Sequence, residues 1–426
     1  MTGTDGRSVP VEERGVVVIG AGPAGLAAAI GARRAGADDV CVIERDRNPG
    51  GILNQCIHDG FGLFLYEETI SGPEYAERLA EEAVQAGVRF ETGAMVLDLT
   101  GDRILKVNAR SGYRILRAGA VVLAMGCRER TREMIEIPGM RPAGIFTAGC
   151  AQNLVNLQNI RIGREAVILG SGDIGLIMAR RLTFEGMAVK GVFEILPWPN
   201  GLERNVRQCL GDFGIPLELS STIVEIRGKN RLESVVVARV DPDLRPIAGS
   251  ERTVACDTLL LSVGLIPENE LAKRAGVALS PLTGGAEVDE RFMTSIPGIF
   301  SCGNVLHIHD VADWASFEGL KAGAAAAGFA ANRQADSRSA GDGEFRVHPG
   351  PGIRYVVPQI LRFGAADVEL NFRPDRPRRN ERVGLRGRTT GRIYRRKTYP
   401  RLLPSEMAKI GLPGSVEEDV EVWCGD

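Results

Sequence analysis

The stretch Gly15–Glu44, GVVVIGAGPAGLAAAIGARRAGADDVCVIE, decides how the rest of the chain is read. Val16–Ile19 is a continuous apolar, β-branched run of the kind that forms a buried parallel strand. It enters Gly20-Ala21-Gly22-Pro23-Ala24-Gly25, then an alanine-rich segment suited to a helix packed closely on a sheet. A second apolar strand, Val40–Ile43, ends in Glu44. Each glycine has a mechanical reason: Gly20 for the tight turn, Gly22 for close approach of a pyrophosphate, Gly25 for helix–strand contact. Pro23 and Ala24 open the helix, whose free N–H groups and partial positive charge favour phosphate. Glu44 stands where a carboxylate accepts hydrogen bonds from ribose hydroxyls. The segment therefore predicts a dinucleotide-binding β–α–β unit, because a glycine turn without a ligand leaves Glu44 unexplained.

A second copy follows. Glu165–Leu169 leads into Gly170-Ser171-Gly172-Asp173-Ile174-Gly175, then a helix to about Glu185 and a strand Val189–Phe193 ending in Glu194. The spacing from first glycine to acid is the same in both copies, Gly20 to Glu44 and Gly170 to Glu194. Repetition of the whole module is stronger evidence than either motif alone. Gly170, Gly172, Asp173, Ile174, Gly175 and Glu194 form the second candidate site. Glu194 favours NAD over NADP, since a carboxylate repels a 2′-phosphate; a vestigial second module is the alternative.

At 426 residues the chain is long enough for two or three domains. A net charge of −2 and 25% charged residues are those of an ordinary soluble protein. No apolar run is long enough to span a bilayer, and Met1–Arg14 lacks the apolar centre of a signal peptide, so a cytoplasmic location is expected. The eight cysteines are scattered without any C-x-x-C, and there are four histidines. Neither a metal site nor a local redox dithiol is expected.

Between the modules, Gly50–Gly62 is a glycine-punctuated loop of the composition that packs against a flat ligand. Ala120–Gly126 and Thr258–Gly264 read as strands that close the first and second modules. Gln334–Gly343 reads as a linker, and 344–426 as a small β-rich module. Its many arginines lack interleaved aromatics, so a solvated face or subunit-docking surface is favoured over nucleic-acid binding.

The two fingerprints, the LAMG and LLLSVG runs and the SIPGIFSCGN segment resemble the two-dinucleotide, thioredoxin-reductase-like flavoprotein superfamily from about Arg14 to Asn332. That resemblance implies an α/β fold of two Rossmann-like dinucleotide-binding domains of the three-layer ββα type, the second inserted in the first. Residues 14–127 and 257–333 would bind FAD, residues 128–256 NAD, and residues 344–426 would form the C-terminal β-rich module. The first fingerprint becomes the FAD site, joined by Gly51 and Ile52 of a GGQL-like segment, Gly126 after LAMG, and Gly303-Asn304. Asn304 departs from the family's Gly-Asp and carries no charge. The strings GGILNQCIHDGFG, GSGDIGLIMARRLTFEG and GNVLHIHDVADWASFEG are similar to flavoproteins accompanying bacterial glycerol-3-phosphate dehydrogenase-type subunits. They are also similar to flavoprotein subunits of opine, hydroxyproline and hydrogen-cyanide-forming dehydrogenases. The resemblance thereby implies a small-molecule substrate and a partner dehydrogenase subunit, while the missing dithiol argues against disulfide reduction.

A flavin carries the redox chemistry and the protein tunes it. Cys56 is a candidate single redox thiol, weighed against a space-filling role. His58 and His309 are the candidate acid–base groups, weighed against loop histidines that only hydrogen-bond. Arg128, Arg130 and Arg132 offer an anion site or a solvated hinge. The reading is hydride transfer between NAD(H) and flavin within a dehydrogenase complex. Its rivals are a flavoprotein subunit that itself oxidises an opine, imino acid or hydroxy acid, and a structural subunit with vestigial sites.

Overall fold

A computed structural model describes residues 10–331, 343–364 and 368–425. The expected linker Gln334–Gly343 lies, apart from Gly343, outside the described residues. The chain divides into two compact units. One comprises Met1–Cys127, Pro267–Leu403 and Met407–Asp426, and the other comprises Arg128–Ile266 with Pro404–Glu406.

In the first unit, β1 (Val11–Ile19), α1 (Pro23–Arg34) and β2 (Val40–Glu44) form the opening β–α–β. The helix α2 (Gly72–Gln85) is capped by Ser71, whose Oγ accepts the Glu74 N–H at 3.4 Å, and it has proline in its first turn. The strands β3 (Arg89–Thr92), β4 (Met95–Leu99), β5 (Ile104–Ala109) and β6 (Gly112–Leu123) follow. The sheet runs β3-β2-β1-β6-β5-β4, and Ile299–Ser301 adds in parallel to β6. β1, β2 and β3 pair in parallel, as do β1 and β6, whereas β4, β5 and β6 form an antiparallel meander. The sequence reads Tyr113–Ala118 and Ala120–Gly126 as separate strands, whereas Gly112–Leu123 is the single strand β6. The reason is that β1 starts early, at Val11, and pairs with β6 along its whole length. Val16–Val18 and Val121–Leu123 are completely buried, as near-continuous apolar runs in a two-sided parallel sheet require. The helix Ala312–Ala331 lies on α1, and glycine makes the fit possible. A Cβ on Gly323 would stand 1.8 Å from the Ala28 carbonyl oxygen.

In the second unit the same plan recurs around α3 (Ala148–Asn156) and α4 (Asp173–Phe184). Leu217–Glu218, Ala188–Phe193, Glu165–Leu169, Thr258–Leu261 and Ile145–Thr147 make a five-stranded parallel sheet in that order. Ser221–Arg227, Ser234–Arg239 and Arg252–Ala255 form the accompanying antiparallel meander. One boundary needs correction. The division expected at residue 257 falls instead at 266/267, because Thr258–Leu261 is hydrogen-bonded between Glu165–Leu169 and Ile145–Thr147 of this second sheet.

The C-terminal strands form a five-stranded and a three-stranded sheet. They share a core of Phe345, Leu361, Leu370, Phe372, Val383 and Val422. The core is their own, yet Tyr355 and Val357 are packed into the first unit's core.

Candidate functional site

At the end of β1 the chain turns through Gly20, whose φ of +101° favours glycine. A Cβ there would meet the Ala124 carbonyl oxygen at 2.5 Å, and one on Gly25 would meet that of Gly20 at 1.9 Å. At Gly22 an added Cβ would meet nothing within 4 Å. Two of the fingerprint glycines are thus demanded by the protein's own packing. The third is demanded by nothing among the described residues and fits an external ligand. α1 starts at Pro23 with no side-chain cap, leaving its first-turn N–H groups without a side-chain acceptor. Glu44 is buried, and its two carboxylate oxygens accept the Ala21 N–H at 2.7 Å and the Asp46 N–H at 2.8 Å.

Other expected residues gather at this end of α1. A Cβ on Gly51 would lie 3.1 Å from the Gly22 Cα, and one on Gly303 would lie 2.5 Å from the Ala24 Cβ. Ile52 is 52% exposed beside Gly51, and the Gly126 carbonyl accepts the Glu268 N–H. An open backbone cradle, an uncapped helix start and a terminal carboxylate fit a dinucleotide's pyrophosphate and ribose.

The second unit repeats the glycine turn and the buried acid, but a Cβ on Gly172 would stand 3.0 Å from the Ser262 hydroxyl oxygen, where the one on Gly22 meets open space. Gly170 has φ +92°, and its Cβ would meet the Ser262 carbonyl oxygen at 2.1 Å. One on Gly175 would meet the Ser262 Cβ at 2.6 Å. Glu194, also buried, accepts the Ser171 N–H at 2.8 Å, the Ser171 hydroxyl at 2.6 Å and the Leu196 N–H at 3.0 Å. Each acid therefore takes the N–H after the first glycine and the N–H two residues beyond itself. Gly172 precedes α4 as its uncapped N-cap, and Ile174 packs on the unit's core. The Asp173 carboxylate is tied down by the Leu202 N–H at 2.8 Å and the Asn205 amide at 2.6 Å. Arg132 is buried and donates to the Ile137 and Gly139 carbonyls, so it is part of the scaffold.

The candidate catalytic residues are distributed as follows. The Cys56 thiol donates to the Ile52 carbonyl at 3.3 Å, and the Cys56 carbonyl accepts the Gly72 N–H. The His58 ring lies against Phe61 at 5.1 Å between centroids, with Nδ1 2.8 Å from the Asp59 carbonyl. Asp313, fully buried at the start of the helix Ala312–Ala331, accepts the Gly62, Phe64 and Leu65 N–H groups. That carboxylate pins the loop after His58 to the helix that follows His309.

His309 belongs to a cluster the sequence only half reveals. Glu318, from the helix, accepts the Gly303 N–H at 2.6 Å and the His307 Nε2–H at 2.9 Å, and lies 3.5 Å from His309 Nε2. Asn304 Oδ1 accepts the His309 N–H at 2.9 Å and lies 3.3 Å from His309 Nδ1. Burial holds the His307 imidazole below its ordinary range, against the opposing pull of Glu318. Burial alone would raise Glu318, but the two adjacent imidazoles outweigh it and hold the carboxyl below the usual range. Arg373, from Val368–Pro374, reaches the cluster's rim. It donates to the Ile308 carbonyl at 3.0 Å, Asp310 at 3.2 Å and the Tyr355 hydroxyl at 3.0 Å. Sequence reading misses Glu318 and Arg373. The available signals are an acid in the middle of a small-residue helix and an arginine in a strand-like run.

Among the described residues no cysteine is in a disulfide. Burial pushes Cys41 and Cys256 up to about 12 and Cys302 well above the thiol range, which suppresses thiolate chemistry there. Among the described residues, no helix is long and apolar enough to cross a membrane.

Comparison with known proteins agrees with this geometry. The sequence profile of the pyridine nucleotide-disulphide oxidoreductase family matches residues 14–319. The hydrogen cyanide synthase subunit HcnB of Pseudomonas protegens is 24% identical over 82% of this chain and 76% of its own. An opine oxidase subunit of Agrobacterium tumefaciens is 27% identical over 62% of this chain, which spans 55% of that relative. Among solved structures, Lactococcus lactis thioredoxin reductase superposes with a TM-score of 0.61 at 26% identity, covering 75% of this chain and 99% of that one.

Proposed function

The chain belongs to the pyridine nucleotide-disulphide oxidoreductase family, and on that premise we propose that it is an FAD-dependent, NAD-linked oxidoreductase working as one subunit of a dehydrogenase or oxidase complex. The observation that carries the reading is the paired fingerprint. Two buried acids are held by equivalent backbone N–H groups beside two glycine turns, which supports two dinucleotide cradles in one chain.

The flavin, when bound, accepts two electrons as hydride from a nicotinamide and passes them on. The chain supplies the rest. Gly22 and the start of α1 receive the FAD pyrophosphate, Glu44 the ribose hydroxyls, and Gly51 and Ile52 the flavin-facing wall. Gly126 and the Gly303–Asn304 turn complete that site. Gly172, Gly175 and Glu194 orient the NAD, and the Glu194 carboxylate disfavours a 2′-phosphate. His309 and His58 are the proton-handling candidates. Cys56 is assigned a packing role, because its thiol and carbonyl are engaged by the adjoining turn and by Gly72.

Subunit status is supported by the names of the two relatives above, each a subunit of a larger enzyme. Association with a glycerol-3-phosphate dehydrogenase-type partner rests on the sequence strings alone. The test is turnover with an artificial acceptor, using NADH, glycerol 3-phosphate or an opine as donor. Activity with NADH alone supports the proposal. Activity with a small donor and none with NADH transfers it to the donor-oxidising rival.

A further inference from the structure

The cluster of His307, His309 and Glu318 lies outside both glycine fingerprints. The side chains of all three are almost completely buried. Their hydrogen atoms can be assigned from their surroundings. Asn304 must present its carbonyl oxygen to His309, because that oxygen accepts the His309 backbone N–H at 2.9 Å. The same oxygen faces His309 Nδ1 at 3.3 Å, while a Glu318 oxygen faces Nε2 at 3.5 Å. Both ring nitrogens of His309 therefore look at groups that only accept. His307 differs: Nε2 meets Glu318 at 2.9 Å, and Nδ1 is buried with no hydrogen-bond partner among the described residues. A hydrogen on that Nδ1 would be a buried donor without an acceptor, which is costly.

We propose that Glu318 is a positioning residue that holds His309 with hydrogens on both ring nitrogens and His307 as the neutral Nε2–H tautomer, placing one fixed cation at the Gly303–Asn304 turn. The proposal rests on the reading that this turn belongs to the FAD site. The arrangement balances its charge, one carboxylate against one imidazolium. The neighbouring cation Arg373 is balanced separately by Asp310 and also donates to the Tyr355 hydroxyl. Cys127 lies on the far side of Asn304, whose amide faces its sulfur at 3.7 Å. Glu318 also holds the Gly303 N–H, so one side chain sets both the turn and the charge beside it. A cation at the cofactor turn favours the reduced, more negative flavin and gives the site a proton to donate.

The same three residues have the donor types of a metal site, their ligand atoms all within 4.8 Å of one another. The hydrogen-bonded reading needs no ion, and it accounts for the unlike surroundings of the two rings.

The chain has four histidines, so nitrogen-15 histidine labelling of the purified flavoprotein yields a spectrum that can be assigned by single substitutions. Near neutral pH, His309 is expected to show two protonated ring nitrogens and His307 one. In Glu318→Gln, His309 is expected to lose its second N–H, and the flavin midpoint potential to fall. The proposal is overturned if His309 has a bare nitrogen in the unmodified protein, or if Glu318→Gln leaves its signals unchanged. It is also overturned if stoichiometric metal co-purifies and shifts both rings. If Glu318→Gln does not fold, the unmodified protein's spectrum still decides. A folded protein that does not bind FAD defeats the cofactor reading instead, and the nitrogen spectrum distinguishes the two failures.

Discussion

Substitution of Gly22 and Gly25 separates what the first fingerprint does for the fold from what it does for a ligand. An alanine methyl at Gly25 would stand 1.9 Å from the Gly20 carbonyl oxygen, far inside the 3.4 Å where ordinary contact begins. Backbone cannot rotate away as a side chain can, so α1 must shift. Overpacking of this kind costs about 3 kcal/mol at its upper end, a fall of roughly 6–12 °C in melting temperature for a domain of 150–250 residues. At Gly22 the backbone is extended, with φ −73° and ψ −178°, and an added methyl meets nothing within 4 Å. Gly22→Ala should therefore leave the flavin-free protein as stable as before, or more so by about 0.4–1 kcal/mol through the unfolded state. Its methyl instead fills the space assigned to the pyrophosphate. A comparable overpacking of about 1–3 kcal/mol would weaken FAD binding roughly fivefold to 150-fold. Melting of the flavin-free variants and FAD titration by fluorescence quenching measure the two effects separately. Unaltered FAD affinity in Gly22→Ala, or a normal melting temperature in Gly25→Ala, would refute the division of labour.

Four further outcomes follow from the geometry. Glu194→Gln should raise the KM for NADH about tenfold or more while leaving FAD content unchanged; an unchanged KM would show that the second cradle is idle. Arg373→Met removes the cation paired with Asp310, and loss of one partner of a buried pair costs about 3–5 kcal/mol. The double variant Arg373→Met/Asp310→Asn should recover part of that loss in denaturant melts. For pH, His307 is held below its ordinary value, so the unfolded chain binds more protons as the medium is acidified. This stabilisation is complete above about pH 6.5 and is lost as the pH falls towards the folded value. On acidification from neutrality the melting temperature of His307→Asn should change less steeply towards instability than that of the unmodified protein, and parallel slopes would contradict the assignment. Cys56→Ser should retain NADH-driven flavin reduction within about twofold, since its thiol is engaged by the Ile52 carbonyl and a serine hydroxyl can donate the same bond; loss of reduction with FAD still bound would restore it as a redox thiol.

The fingerprints are legible in the sequence because their demands are local. A φ above zero at Gly20 and the glycine contact at Gly25 are set within a few residues, and Glu44 lies at the end of the next strand. The module boundary is less legible. Thr258–Leu261 is an apolar run that suits either sheet, and only its hydrogen bonds to Glu165–Leu169 place it in the second unit. β6 reads as two strands because its partner β1 begins in a polar segment, Val11–Arg14, that carries no apolar signal. At the candidate site, His309 stands out as a histidine in a sparse background. Its partners do not, since Glu318 is nine residues further on along a helix and Arg373 comes from a different sheet. Long-range polar pairing leaves no periodic trace in sequence. The basic C-terminal segment reads from sequence as a solvated or docking face. In the structure Arg373 is buried, and Arg346 and Arg362 pair with Glu287 and Asp289.

The most direct test of the central claim is an anaerobic titration of the purified flavoprotein with NADH and then NADPH, following the flavin band near roughly 450 nm. Two working dinucleotide cradles predict prompt bleaching by NADH and little by NADPH. A bound flavin that ignores both nucleotides would contradict the account and leave the second module without its assigned ligand.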